Sequence, residues 1–582
     1  MFSERTILKI FDPIKEQKTL SIIILAGFLV RVWGVWYGLP QFFVGDEHHL
    51  PGAALKMGAE KNLIASYGTL YEPPFLAYFY LILYGITFPF LMLCKGIFSL
   101  SELQGYLVLN PTFPWLVARL ASAVMGTILI YLTYRITNFL GDRWVAYGAA
   151  IFVAFDPMMV QMSHFARIWV PGAFLAYLSL FFSVQANREG GWRNYILAAV
   201  FAAFSAGTTW ITGTVILALG AAFILSEKSK RSGRLLALAL LIFVSIVAVI
   251  ILINPYNFLR YLGMHLCNQD YGSQVFNLQD INLKERIGWT SLFYQFQRWG
   301  RIISDYNLPI LLAAVPGFLI FFLRDWRLAL LIFCYPAFHF FYLATSGGFS
   351  RYMLPVMPAL AMAASGLVAA LPKLLPGRFA RAKTGFLNPL MVLLFVSYSF
   401  LMVILWDYRI SFSDTRALAR SWIENNIPAG SRIVMSERNR VNYFYLWENP
   451  EAIGWVQRID PGRMGVERKY LSRLSEKDYP SPAYYAIHLN EQGIGEKIGG
   501  DFAGFIDEQK FDYLAVAFWE EGRWVGSGAL QNTPRELIKR FSPGEEIISD
   551  IMDDMRKLFP TLWNQKRPGP VVEIYRIKRQ EG

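Results

Sequence analysis

The chain has 582 residues, 54% of them hydrophobic and only 17% charged, with a formal net charge of +12. A soluble domain carries roughly 25% charged residues, so this composition excludes a wholly soluble protein and points to a bilayer. The Lys and Arg residues fall mostly in short loops between apolar segments, a distribution that sets membrane topology, and no nucleic-acid partner is expected.

The N-terminal stretch "MFSERTILKIFDPIKEQKTL" is basic and amphipathic, and residues 1–18 are expected on the cytoplasmic side. The apolar run 19–38 that follows is too long for a signal-peptide core and has Trp33, Trp36 and Tyr37 where a cleavage site would need small residues. It reads as an uncleaved first span, running inside to outside because Arg5, Lys9, Lys15 and Lys18 precede it. A large external loop, 39–114, comes next. Within it, 75–97 is long enough to span, but a span there would put every later basic loop on the wrong side. The charge count therefore lays that segment along the outer surface.

With that choice the basic loops at 188–193, 228–234, 324–327 and 373–383 all fall inside. Spans are then expected at 115–137, 147–163, 171–187, 194–211, 213–227, 235–253, 308–323, 328–345, 353–372 and 386–406. Together with the first, that is about eleven. Cys94, Cys267 and Cys334 lie far apart in or beside apolar sequence, which is neither a disulfide framework nor a CxxC metal site.

Composition changes at Asp407. Residues 19–407 read as the membrane domain, and 408–582 as a soluble, extracytoplasmic α/β domain. "SDTRALARSWIENNIPAG" predicts a helix with Ser413 or Asp414 as N-cap and Pro428 as its stop. "SRIVMSE", "FDYLAVAFW" and "PVVEIYRIK" predict buried strands. No internal repeat or low-complexity tract is visible.

The residues fit for chemistry begin with "FFVGDEHHL", 42–50, directly after the first span. Asp46 and Glu47 are adjacent, so on a helix they would not share a face: one is free to point into a cavity while the other holds the loop, or Asp46 simply caps the helix that follows. His48 and His49 lack the i, i+4 spacing of a helical metal site. Arg31 lies inside the first span, where an ionisable group is functional by default. Arg119, Arg167 and Arg351 fall at the outer ends of spans, where an arginine also snorkels to the interface. His339, inside a span, reads as a satisfied interior histidine.

In order, Arg31, Asp46–Glu47, Pro73–Pro74, "ARL" with Arg119, the loop Ser163 to Arg167, and "RYMLPVMP" from Arg351 to Pro358 form a set. With it the chain resembles the GT-C glycosyltransferases. The likeness is to the dolichyl-phosphate-mannose–protein mannosyltransferase family and its bacterial and archaeal relatives, including the lipid A aminoarabinose transferases. It covers most of residues 20–440. The resemblance implies a membrane enzyme that takes a sugar from a polyprenyl phosphate and displaces at the anomeric carbon, normally with inversion, onto a hydroxyl acceptor.

Such a reaction needs a carboxylate to take the acceptor's proton and cations to stabilise the departing phosphate. Asp46 is then the base, and Glu47 orients it or joins it on a divalent metal, Mg or Mn. Arg351 with Tyr352, Arg167, Arg119 and His164 are the expected phosphate or acceptor contacts, and the loop 254–276 is expected to help cover the site. Two departures stand out. Relatives carry a second acid after the third span, where this chain has Trp169 and Val170; Asp156 lies earlier. Where the aminoarabinose transferases place a phosphate-binding lysine, this chain has Glu72, which suits an acceptor or a metal instead. Two competing readings remain at this point: a transporter or flippase for a lipid-linked substrate, and an inactive relative serving as a scaffold.

Overall fold

A computed structural model of the chain describes residues 18–63, 72–255, 258–259, 289–346, 349–374, 377–437, 444–489, 498, 501–520, 533–545, 550–552 and 557–578. The amphipathic N-terminus and nearly all of the 254–276 loop lie outside them. The chain divides into two compact units. One comprises Met1–Val35, Asp46–Thr87 and Trp115–Leu405; the other comprises Trp36–Gly45, Phe88–Pro114 and Trp406–Gly582.

The first unit is helical. Among the described residues of the whole chain, eight helices are long and apolar enough to cross a membrane, or nine if a bent pair is one span. That pair is Arg143–Ala154 with Pro157–Ser163, bent by 55°. The expected count of about eleven is therefore not reached. The runs at 19–38, 194–211 and 213–227 form shorter helices: Lys18–Val32 and Trp192–Ala206 have 15 residues each, and Ile216–Leu225 has 10. At 1.5 Å per residue, a 15-residue helix falls short of the roughly 30 Å hydrocarbon core. Phe75–Lys95, expected on the outer surface, is one of the eight by length and composition.

Burial orders these helices. The windows in Trp169–Glu189 and Ser350–Ala370 are 83% buried, whereas that in Gly233–Ile253 is 11% buried. The first two are the centre of the bundle, and the third presents its apolar sides outward. Trp289–Arg324 packs on Met357–Ala370 so closely that a side chain at Gly317 would run into the Ala363 carbonyl. Small residues at a helix crossing allow such approach within a membrane.

The second unit holds a five-stranded mixed sheet, formed by β1 (Arg432–Glu437), β2 (Tyr485–His488), β3 (Tyr513–Phe518), β4 (Arg535–Phe541) and β5 (Val571–Ile577) in the order β2-β1-β3-β5-β4. β1 pairs parallel with β2 and β3, and β5 pairs antiparallel with β3 and β4. Three strands match the apolar runs read from sequence. β2 is only four residues long, and β4, "RELIKRF", is the charged edge strand that sheets use to resist edge-to-edge pairing; neither shows an apolar run. The core packs Val434, Ile487, Leu514, Val516 and Val571 against Phe505 and Phe511. Asp414 caps the helix Thr415–Asn426, as its sequence predicts. Residues 36–45 and 88–114 join this unit although they stand far from it in sequence.

Candidate functional site

Asp46 and Glu47 are neighbours in sequence and separate in space. The helix after them, His49–Glu60, has His48 at its N-cap with no side-chain capping bond. Asp46 therefore does not serve as that cap. Its backbone is left-handed, with φ +64, a conformation that Asp tolerates better than most residues. Its carboxylate turns to Arg351, whose Nη2 donates to Oδ2 at 3.2 Å. The Asp46 side chain is 58% exposed and that of Arg351 is 7% exposed. The pair thus has a buried cation and an open carboxylate.

Glu47 is 1% exposed. Arg119 grips it with two prongs, Nε to Oε1 and Nη2 to Oε2, both at 2.6 Å. The Ala166 amide adds a third hydrogen bond to Oε1 at 2.9 Å, and Arg119 Nη1 donates to the Val35 carbonyl at 2.7 Å. Paired forks of this kind are strong and geometrically specific. They tie the loop at 46–47, the "ARL" helix Thr112–Leu140 and the loop before Trp169 together. Glu47 thus holds the loop, one of the roles its sequence left open for the pair, and Arg119 faces Glu47 and Val35.

His164 is likewise a staple. It is buried, with Nδ1 2.9 Å from the Val160 carbonyl and Nε2 2.9 Å from the Trp33 carbonyl. Both ring nitrogens face backbone carbonyls. Arg167 is buried, its guanidinium 5.9 Å from the Phe165 ring centroid. Glu72 is half-buried just before Pro73.

Arg351 opens the 3-10 segment Ser350–Val356. Its guanidinium lies 4.2 Å from the Phe349 ring centroid and 5.9 Å from that of Tyr352, within range of a cation–π interaction. Tyr352 leans on Trp169 with centroids 4.4 Å apart. The segment is fixed from behind by Tyr177, which donates to the Pro355 carbonyl at 3.1 Å, and by His339, whose Nε2 is 3.0 Å from the Tyr352 carbonyl. The sequence offered His339 only as an interior histidine and gave no sign of Tyr177. Trp169, noted there as the place of a missing acid, supplies an aromatic wall.

Two polar groups that invited catalytic readings have structural partners. Arg31 donates to the carbonyls of Gly27, Ala154 and Val153 at 2.8 to 2.9 Å, and so closes the end of Arg143–Ala154. Asp156 caps Pro157–Ser163 through the Met159 amide at 3.0 Å and accepts from Asn307 Nδ2 at 3.1 Å. Opposite charges meet opposite helix ends, as the helix dipole favours.

A divalent metal does not fit this donor set. Both Glu47 oxygens are engaged by Arg119, which leaves Asp46 as the one open carboxylate of the pair. Among the described residues no group of three His, Cys, Asp or Glu is placed to hold an ion.

Residues 107–253, about a quarter of the chain, match the family model described as dolichyl-phosphate-mannose-protein mannosyltransferase. The resemblance read from the motifs is thus found independently over that stretch. No curated protein matches the chain. Among solved structures, the chain is similar to the Archaeoglobus fulgidus oligosaccharyltransferase in complex with Zn and sulfate. The identity is 14%, the match covers 86% of this chain and 68% of that one, and the TM-score is 0.47. It is also similar to ArnT from Cupriavidus metallidurans in the apo state, at 12% identity, covering 95% of this chain and 97% of that one, with a TM-score of 0.46.

Proposed function

We propose that this chain is a GT-C glycosyltransferase. It moves a sugar from a polyprenyl-phosphate donor to a hydroxyl of a protein, lipid or glycan acceptor on the outer face of the membrane, with inversion. The carrying observation is the pairing of an open carboxylate, Asp46, with a buried guanidinium, Arg351, beside an aromatic wall. The family-model match over 107–253 supports the same reading. In it the N-terminus is cytoplasmic, Phe75–Lys95 lies along the outer surface, and the sheet unit is extracytoplasmic.

Asp46 takes the proton of the acceptor hydroxyl as its oxygen attacks the anomeric carbon. The bond from that carbon to the phosphate oxygen breaks, and polyprenyl phosphate leaves with the electron pair. Arg351 stabilises the charge that builds on the phosphate, with Arg167 as the second cation. A guanidinium suits this because it stays charged and matches phosphate geometry. Trp169 and Tyr352 keep water from the side where relatives place an acid.

The test gives native membranes containing wild-type or Asp46→Asn protein, which supply protein, lipid and glycan hydroxyl acceptors, a panel of radiolabelled polyprenyl-phosphate sugars, with and without EDTA. The expected result is release of polyprenyl phosphate from one donor by wild type alone, at a rate EDTA leaves unchanged. Equal behaviour of the two proteins on every donor removes the catalytic reading and favours transport or a scaffold.

A further inference from the structure

The short helix Leu558–Asn564, "LFPTLWN", is apolar on two sides. Leu558, Thr561 and Leu562 point inward and are at most 1% exposed. Phe559, Pro560 and Trp563 make up the opposite side. Phe559 is 41% exposed and Trp563 is 65% exposed, and their rings stack with centroids 5.6 Å apart. A helix lying between a core and water has a polar outer face. Thr415–Asn426, in the same unit, shows that ordinary pattern: its exposed residues are Ser421, Asn425 and Asn426. A two-turn helix that turns a phenylalanine, a proline and a tryptophan outward is suited to a less polar neighbour.

What holds this helix says where that face lies. Gly377–Ile410 contains a stretch apolar enough to cross a membrane, and from Trp406 onward its residues belong to the unit with the sheet. In its last turn, Arg409 donates from Nε to the Leu562 carbonyl at 3.2 Å, across 153 residues of sequence. Trp406 Nε1 donates to the Ile551 carbonyl at 2.8 Å. Tyr408 and Phe412, on either side of Arg409, are 47% and 38% exposed and meet edge to face, with centroids 4.9 Å apart.

Exposed aromatic residues where a span ends sit at the headgroup level of the bilayer. Trp563 directly follows Leu562, so it stands about one arginine side chain away from that level. Lys557 before the helix and Lys566 after it are both exposed. Lys566 meets only the equally exposed Glu545, at 4.0 Å, a pairing too solvated to cancel its charge. An aromatic face flanked by lysines suits a surface of anionic lipid.

We propose that Leu558–Asn564 is an interfacial anchor. Phe559 and Trp563 enter the headgroup layer beside the exit of Gly377–Ile410, and Lys557 and Lys566 meet anionic lipid. The occupant is the bilayer rather than a second protein, because the face adjoins the end of a span that lipid surrounds. The anchor gives the chain a second hold on the membrane long after its last span, and it is independent of the reaction proposed above.

The test uses the full-length protein in phosphatidylcholine nanodiscs, with a fluorescent amino acid replacing Trp563. Lipids carrying a nitroxide near the headgroup are expected to quench about half of its emission, and aqueous acrylamide about fivefold less than it quenches the free amino acid. Strong acrylamide quenching without lipid quenching overturns the anchor. Adding phosphatidylglycerol is expected to raise lipid quenching about twofold; equal quenching removes the lysines from the proposal. A second variant, Phe559→Ser with Trp563→Ser, is followed by hydrogen-exchange mass spectrometry. Amides of 558–564 are expected to exchange at least about fivefold faster in nanodiscs while β1 and β3 exchange as in wild type. Unchanged exchange at 558–564 overturns the anchor. In native membranes, a benzophenone side chain replacing Phe559 is expected to crosslink to lipid. Crosslinks mainly to another protein assign the face to that partner and overturn the proposal.

Discussion

Around Glu47 the protein closes in: two guanidinium bonds and an amide engage both carboxylate oxygens, and the side chain is buried. Around Asp46, one residue earlier, a single guanidinium approaches from a buried base, and most of the side chain faces out. The two regions share a residue class and a partner class and differ in solvation and in the number of hydrogen bonds. A buried carboxylate with both oxygens engaged is a fastener. One with an open oxygen is free to meet another molecule.

That contrast is sharpened most by Asp46→Asn. Transfer is expected to fall about a thousandfold, the middle of the range for loss of a general base. The thermal midpoint should fall less than in Glu47→Gln, because Asp46 is 58% exposed and makes one hydrogen bond to Arg351 rather than a buried fork. Glu47→Gln should do the reverse. It leaves Arg119 buried without its counter-charge, and stability measured by thermal unfolding in detergent should drop by about 3 kcal/mol. The double variant Glu47→Gln, Arg119→Gln should regain part of that loss, since removing both partners costs less than stranding one. A fall in activity without any fall in stability for Glu47→Gln would break the distinction between the two regions.

Arg351→Lys keeps the charge and loses the planar fork. Turnover should fall about tenfold with little change in the thermal midpoint. A smaller effect belongs to the sheet unit. Half-buried Glu467 is pushed up to about 7, first by burial and then by the neighbouring Glu448 carboxylate. A carboxyl that holds its proton more tightly when folded favours folding at acidic pH. Its contribution is full below the unfolded value near 4.5 and is lost as pH rises through about 7. The slope should amount to about 1 kcal/mol after screening by solvent. Glu467→Gln should flatten it in thermal unfolding scans between those pH values.

How far the sequence reveals the site depends on what each residue's partner is. Asp46 and Arg351 were legible as candidate residues because each sits in a motif. That they meet, 305 residues apart, is a matter of packing. Glu47 and Arg119 stood in the same motifs and read the same way. Only the fold shows that they saturate each other, since no local pattern encodes a contact 72 residues away. For His164, the neighbour Arg167 is visible in sequence, whereas the two carbonyls it faces are not. In the fold, apolar length located most helices, but it overstated three because it does not report where a helix stops. Strands β1, β3 and β5 announced themselves by apolar runs, and β4 did not because its charges are what an edge strand requires.

Arg31 has a consequence for how the protein is made. Two of its three carbonyl partners, Val153 and Ala154, are synthesised 122 and 123 residues later. Arg31 lies in the last turn of Lys18–Val32. Its bonds to Val153 and Ala154 can form only once Arg143–Ala154 has been made, so the seating of these two helices on one another is a late event of assembly.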